Sequence, residues 1–317
     1  MFFRSPYRVG VRWLWCAAFG LCIESQAAAA GPVAPAPCGT PLASWTPTVS
    51  EPDPGTGESL ARFAHLGATE QASQLRGEIR DGELSRLGDD QVIRLMDAMK
   101  PAAFVALIQG NIAGLTSYEF DMYRQERLGG VWQTKPDHIL VRYQDQPRRI
   151  YLKWLPDGAH AGQEALYDET RDRNSLYGHP GGLLSFYSAH TGIDSSFARS
   201  QSRHNIRDSG FQFIEHAIEH DAESFREEGL SNAPSKIEFV HLRKLRVLAL
   251  TWDAPSGPPA HYARRVRLFF DLRHLWPRGE AAWDENGKQL EMIYFENVVP
   301  HVWSDETFNP KNPNYDF

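Results

Sequence analysis

The sequence predicts an α+β fold: a curved, open antiparallel sheet, or half-barrel, with helices packed on its concave side. Three observations carry that expectation. Residues 58–115 repeat apolar side chains at helical spacing. From Ser117 onward the repeat changes to two. One helical stretch, 211–225, divides the strand runs into two groups. Strands joined by turns make an antiparallel meander, and without a repeating βα unit a doubly wound fold is excluded. A sandwich with a helical cap uses the same elements, but the order helices, meander, one helix, meander favours the curved sheet.

Ahead of the helices, residues 1–30 read as an export signal. Arg4, Arg8 and Arg12 make a basic start, Trp13 to Ile23 is uncharged and mostly apolar, and Ala27 to Ala30 supply small residues for cleavage. The apolar stretch is too short to cross about 30 Å of hydrocarbon as a helix. Residues 31–57 hold seven of the 21 prolines and read as an extended spacer, leaving 58–317 as a single domain. Loss of the signal removes Cys16 and Cys22. Cys38 then stands alone in the spacer, so no internal disulfide is expected.

In the domain, Leu60, Phe63 and Leu66 start the helical pattern. Asp89 and Asp90 are placed to cap a helix whose broad apolar face is Val92, Ile93, Leu95, Met96 and Met99. Pro101 suits the first turn of the next, with Phe104, Leu107, Ile108, Ile112 and Leu115 on one side. Period two then takes over at Tyr118, Phe120 and Met122. It recurs at Ile139, Val141 and Tyr143, and at Ile150, Leu152 and Trp154. Shorter runs at 164–167 and 183–186 follow, and after the helix come runs at 236–242, 247–252, 262–272 and 290–297. That makes about nine strands. Asn286-Gly287 marks a hairpin, because both residues tolerate positive φ. The tail 309–317 carries two prolines and reads as a coil laid on the surface.

Composition narrows the function classes. The net charge is −7, from 33 basic and 40 acidic side chains, and it becomes −9 without the signal. That sign disfavours nucleic acid as a partner. Aromatic residues, 12% of the chain, can fill a core. No P-loop, dinucleotide glycine fingerprint or nucleophile elbow occurs, so no cofactor is expected. His216-Ala217-Ile218-Glu219-His220 matches H-x-x-E-H, in which two histidines one turn apart hold zinc and the glutamate acts as base. Without a third ligand on a distant element, the run reads first as an ordinary helix segment. Arg199, Arg203, His204 and Arg207 form a basic patch that either meets an anionic headgroup or envelope partner, or pairs with carboxylates such as Asp208.

The order of these segments carries a resemblance. A helix ending at Leu115 runs into Ser117-Tyr118-Glu119-Phe120. Gly130, Lys135-Pro136 and the strands near 138–143 and 150–154 follow. This resembles the start of the LolA/LolB-like superfamily of periplasmic lipoprotein carriers. Arg127-Leu128-Gly129-Gly130, Ile150-Tyr151-Leu152-Lys153-Trp154, Arg203-His204-Asn205-Ile206 and Phe308-Asn309-Pro310 resemble more closely an uncharacterised exported domain family of that superfamily, over about 88–317. The resemblance implies a half-barrel whose hollow receives acyl chains. Where those carriers have an arginine before a proline, this chain has Lys135, which keeps the charge but not the planar fork of donors.

The expectation is therefore an exported, non-enzymatic protein of the bacterial envelope, periplasmic or secreted, that binds a lipid or acyl chain. Peripheral membrane contact and an envelope protein partner are compatible with it. The expected ligand-binding residues are Phe120, Trp132, Ile139, Val141, Tyr151, Leu250, Leu268, Phe270 and Phe295, with polar contacts from Lys135, Arg203 and His204. The alternatives are an envelope interaction module with a filled core, and a zinc hydrolase using His216, Glu219 and His220.

Overall fold

Inward-facing apolar side chains alternate along β1 (Ser117–Leu128), where Tyr118, Phe120 and Met122 are buried and the residues between them half-buried. β1 is the centre of the sheet. A computed structural model describes residues 54–182, 188–256 and 261–317, all within one unit, Glu51–Phe317. The expected signal, nearly all of the spacer, and the apolar run at 183–186 lie outside the described residues.

Four helices precede β1: α1 (Pro54–His65), α2 (Ala68–Arg80), α3 (Asp89–Asp97) and α4 (Pro101–Ile112). α1 starts inside the stretch read as spacer, with its proline at the helix start. Asp89 and Asp90 lie within the first turn of α3 and are not its cap. Gly88 takes the cap position, and its N–H donates to Gln91 Oε1 at 2.8 Å. α4 buries Phe104, Leu107, Ile108 and Ile112, as its spacing predicts.

The first meander continues through β2 (Val131–Trp132), β3 (Asp137–Gln144), β4 (Arg149–Trp154), β5 (Glu164–Asp168), β6 (Ser175–His179) and β7 (Ala189–Gly192). Two helices follow, α5 (Ser196–Gln201) and α6 (Phe211–Glu227). The second meander is β8 (Lys236–Leu242), β9 (Leu245–Asp253), β10 (Arg265–Phe270), β11 (Pro277–Trp283) and β12 (Gln289–Pro300). All twelve strands pair antiparallel in the order β7-β6-β5-β4-β3-β1-β12-β11-β10-β9-β8, with the short β2 hung on β1. The first and last strands thus join the two meanders. Register shifts in the β1–β12, β10–β11 and β11–β12 pairs are bulges, which bend and twist strands. Gly287, at φ +71°, turns the β11–β12 hairpin.

The sequence supports about nine strands where the described residues form twelve. β11 reads Pro-Arg-Gly-Glu-Ala-Ala-Trp, poor in β-branched side chains, and owes its pairing to the strands on either side. β6 and β7 are short, and each contains a glycine.

The helices fill one half of the concave face. α4 packs against α2 and α6, and Phe104 meets Trp252 of β9 edge-on, ring centroids 6.4 Å apart. α6 enters over the sheet centre. Phe211 lies 5.0 Å from the Tyr118 ring, 5.5 Å from Phe120 and 5.2 Å from Phe295. The approach requires glycine at 210, because a Cβ there would fall 2.4 Å from the Tyr143 ring.

Part of the convex face, on β4 and β5, is covered too. The tail binds there through Phe308 and Tyr315, which pack on Tyr151 and Leu166. The Tyr151 and Tyr315 rings stack at 4.0 Å, and Arg142 donates to Tyr315 Oη at 3.1 Å. The coil is as expected, but it is a structural strap. Tyr315→Ala is expected to cost about 2–3 kcal/mol, read as a lowered denaturant midpoint.

Candidate functional site

Among the described residues, no long helix lies over the half of the concave face formed by β4–β7. α5 and the turn 202–206 cross it instead, and a cavity of about 300 Å³ remains between them and the sheet. Its wall is mainly apolar: Met122, Leu152, Trp154, Ala165, Leu176 and Ile193 face Phe197, Ile206 and Phe213. Phe197 lines the cavity and is still 55% exposed, so the cavity meets solvent beside α5.

One end of the cavity is polar. Period two along β1 continues inward past Met122 to Arg124 and Glu126. The same alternation puts Asp137 of β3 on the face of Ile139, and Glu291 of β12 on the face of Ile293 and Phe295. The Arg124 guanidinium donates to Asp137 Oδ2 at 2.9 Å and Ser202 Oγ at 3.0 Å, and sits 3.2 Å from Glu126 Oε2. Glu126 Oε1 accepts from the Arg203 amide at 2.9 Å and from Ser202 Oγ at 3.2 Å. His204 Nε2 is 2.6 Å from Glu291 Oε2, and Tyr262 Oη donates to the other oxygen of Glu291. The sheet therefore holds the 202–204 turn by charge-assisted bonds rather than by apolar packing.

Burial and mutual charge shape this cluster. Burial opposes the charged form of His204, but the hydrogen bond and charge of Glu291, with Glu280 and Glu126 behind it, together push its pKa up to about 9. Burial, reinforced by the charge of Glu291, pushes Glu280 up to about 8. Burial would raise Glu291 as well, yet its bond to His204 holds it below the usual glutamate value.

A family described as a protein of unknown function, DUF1571, matches residues 115–317. The chain belongs to that family. The DUF1571 region contains all twelve strands, the cavity wall and the polar cluster, and α1–α4 precede it. No curated protein matches the chain. Similar solved structures include an uncharacterized conserved protein from Thermus thermophilus, at 12% identity over 65% of this chain and 91% of that one, TM-score 0.36. A LolA superfamily protein from Nitrosomonas europaea is similar at 8% identity over 64% and 97%, TM-score 0.28. The MucA/MucB complex structure from Pseudomonas aeruginosa is similar at 15% identity over 65% of this chain and 61% of that one, TM-score 0.32.

Within the DUF1571 region the residues expected to bind ligand are placed elsewhere. Phe120, Ile139, Val141, Leu250, Leu268, Phe270 and Phe295 face the concave side, in the core that α4 and α6 pack against. Tyr151 points to the convex side, under the tail. Trp132 is half-buried in β2 with the Arg127 guanidinium over its ring. None of the nine lines the apolar cavity beside α5. Leu268 lines a smaller one, of about 40 Å³, beneath α6.

Of the polar residues, His204 lines the apolar cavity beside α5. Lys135 donates to the Gly158 carbonyl at 2.8 Å, and Arg203 lies 3.9 Å from Glu291. The basic patch is thus mostly paired, Arg199 with Asp194 at 2.5 Å, while Asp208 accepts from the Asn205 amide. His216, Glu219 and His220 stand on the solvent side of α6, 66%, 59% and 77% exposed. Among the described residues, the group whose donor atoms converge is Glu126, His204 and Glu291. The signal for that group is present in β1, where two charged residues continue an apolar alternation.

Proposed function

We propose that this protein binds a hydrophobic ligand of the lipid or acyl-chain class, without transforming it, in the bacterial envelope after export. The observation that supports this most is the unequal filling of the concave face. Four helices and Phe211 close one half, and the other keeps an apolar cavity of a size that suits a small ligand. An acyl chain would lie along Met122, Leu152, Trp154 and Leu176. Its polar end would meet Ser202 and His204. Binding without chemistry accords with the polar cluster, whose guanidinium and carboxylates are engaged with one another. Export rests on the basic and apolar pattern of residues 1–30. No helix among the described residues is long and apolar enough to cross a membrane. Phe197, exposed at the cavity mouth, is the contact offered to a membrane surface or to an envelope protein that delivers or receives the ligand.

The test is native mass spectrometry of the full chain purified from a bacterial envelope fraction. The expected result is a single lipid-mass adduct per chain, or its uptake from phosphatidylethanolamine–phosphatidylglycerol vesicles. A chain that arrives bare and takes up nothing from those vesicles would overturn the reading.

A further inference from the structure

Glu126, His204 and Glu291 come from β1, the turn after α5, and β12. One donor atom of each lies within 4.8 Å of the others. Both glutamates are wholly buried and the His204 side chain is 11% exposed. The β1–β12 register sets Glu126 directly opposite Glu291, a pairing that repels unless a cation lies between the two carboxylates. Arg124 beside Glu126 and the His204 ring beside Glu291 answer part of this demand, but the guanidinium also serves Asp137 and Ser202.

A second observation is independent of that convergence. Glu280 of β11 is 5% exposed and pairs with Ile293 of β12, whose neighbour on the same face is Glu291. Its Oε1 accepts no hydrogen bond. Three buried carboxyl groups this close are costly to ionise together, and a bound cation would let them do so.

We propose that Glu126, His204, Glu291 and Glu280 form a binding site for a divalent transition-metal ion of the zinc class. One imidazole nitrogen with carboxylate oxygens suits zinc or manganese better than calcium or magnesium, which take oxygen alone. The ion takes the position between His204 and Glu291 now held by a hydrogen bond. It ties the 202–204 turn to three strands and so fixes one wall of the cavity. The site does not depend on the lipid reading, since metal uptake and lipid uptake are measured separately.

The experiment is calorimetric titration of the EDTA-treated full chain with zinc chloride, repeated on three variants whose fold is checked by circular dichroism. His216→Ala/His220→Ala removes the exposed pair on α6, the other place where zinc could settle. One equivalent is expected to bind in the wild type and in that double variant. Binding weakens by about tenfold or more in Glu280→Gln and is lost in His204→Gln. If His204→Gln does not fold, Glu280→Gln decides alone, because glutamine keeps the volume and cannot supply an anionic carboxylate ligand. No uptake, uptake lost with His216 and His220, or uptake unchanged in Glu280→Gln would overturn the site.

Discussion

Phe211→Ala is expected to destabilise the protein by about 3–5 kcal/mol, the range for removing a buried aromatic ring. Phe211 has no exposed surface and touches the rings of Tyr118, Phe120 and Phe295, which belong to the two strands that join the meanders. Its amide also donates to Tyr118 Oη at 2.7 Å, and Tyr118 in turn donates to Gln212. The variant therefore loses ring contacts at the point where α6 lands on the sheet. Urea unfolding of the variant is the measurement, with the midpoint falling while the slope stays near that of the wild type. A loss below about 1 kcal/mol would mean that α6 is not seated on the sheet as described.

Arg124→Met is expected to cost about 3–5 kcal/mol for a different reason. The guanidinium is the buried cation between Asp137 and Glu126, and neither carboxylate has any exposed surface. Removing it leaves two buried carboxylates without their guanidinium, Asp137 keeping His160 and Glu126 keeping Ser202 and the Arg203 amide, whereas the methionine side chain itself fits an apolar wall. Adding Glu126→Gln and Asp137→Asn to the same chain should recover more than half of the loss, because the repulsion goes with the charges. If the triple variant is as unstable as the single one, the cost lies in lost packing and the cluster is not held electrostatically.

Residues such as Phe104 and Ile108 make the helices legible in the sequence, and Tyr118, Phe120, Ile139 and Val141 make the central strands so. Each lies in a dense apolar repeat whose period differs between helix and strand. β11 carries no such repeat, and its glycine and alanines become strand only between β10 and β12. The cavity is not legible for a related reason. Alternation puts Phe120, Phe270 and Phe295 on the correct face, but whether that face is empty or filled depends on where α4 and α6 lie. Those positions follow from contacts between residues far apart in the chain, such as Phe211 with Phe120 and Phe104 with Trp252. Tyr151 misleads because Ile150, Tyr151 and Leu152 are all buried, so β4 has two covered faces and no alternation to read. His204 is visible as part of a basic patch, but its partner Glu291 is 87 residues away and has no local signature.

The central claim is that the open half of the sheet binds an apolar chain, and one titration tests it. A dansyl-labelled long-chain fatty acid is added to the wild type and to Ala165→Phe, which places a ring in the cavity from β5. The half-filled sheet predicts saturable, one-to-one, blue-shifted emission with the wild type. In Ala165→Phe, with the unfolding midpoint retained, affinity should be weaker by about tenfold or more, roughly 1.4 kcal/mol. Equal binding by both proteins, or none by the wild type, would contradict it.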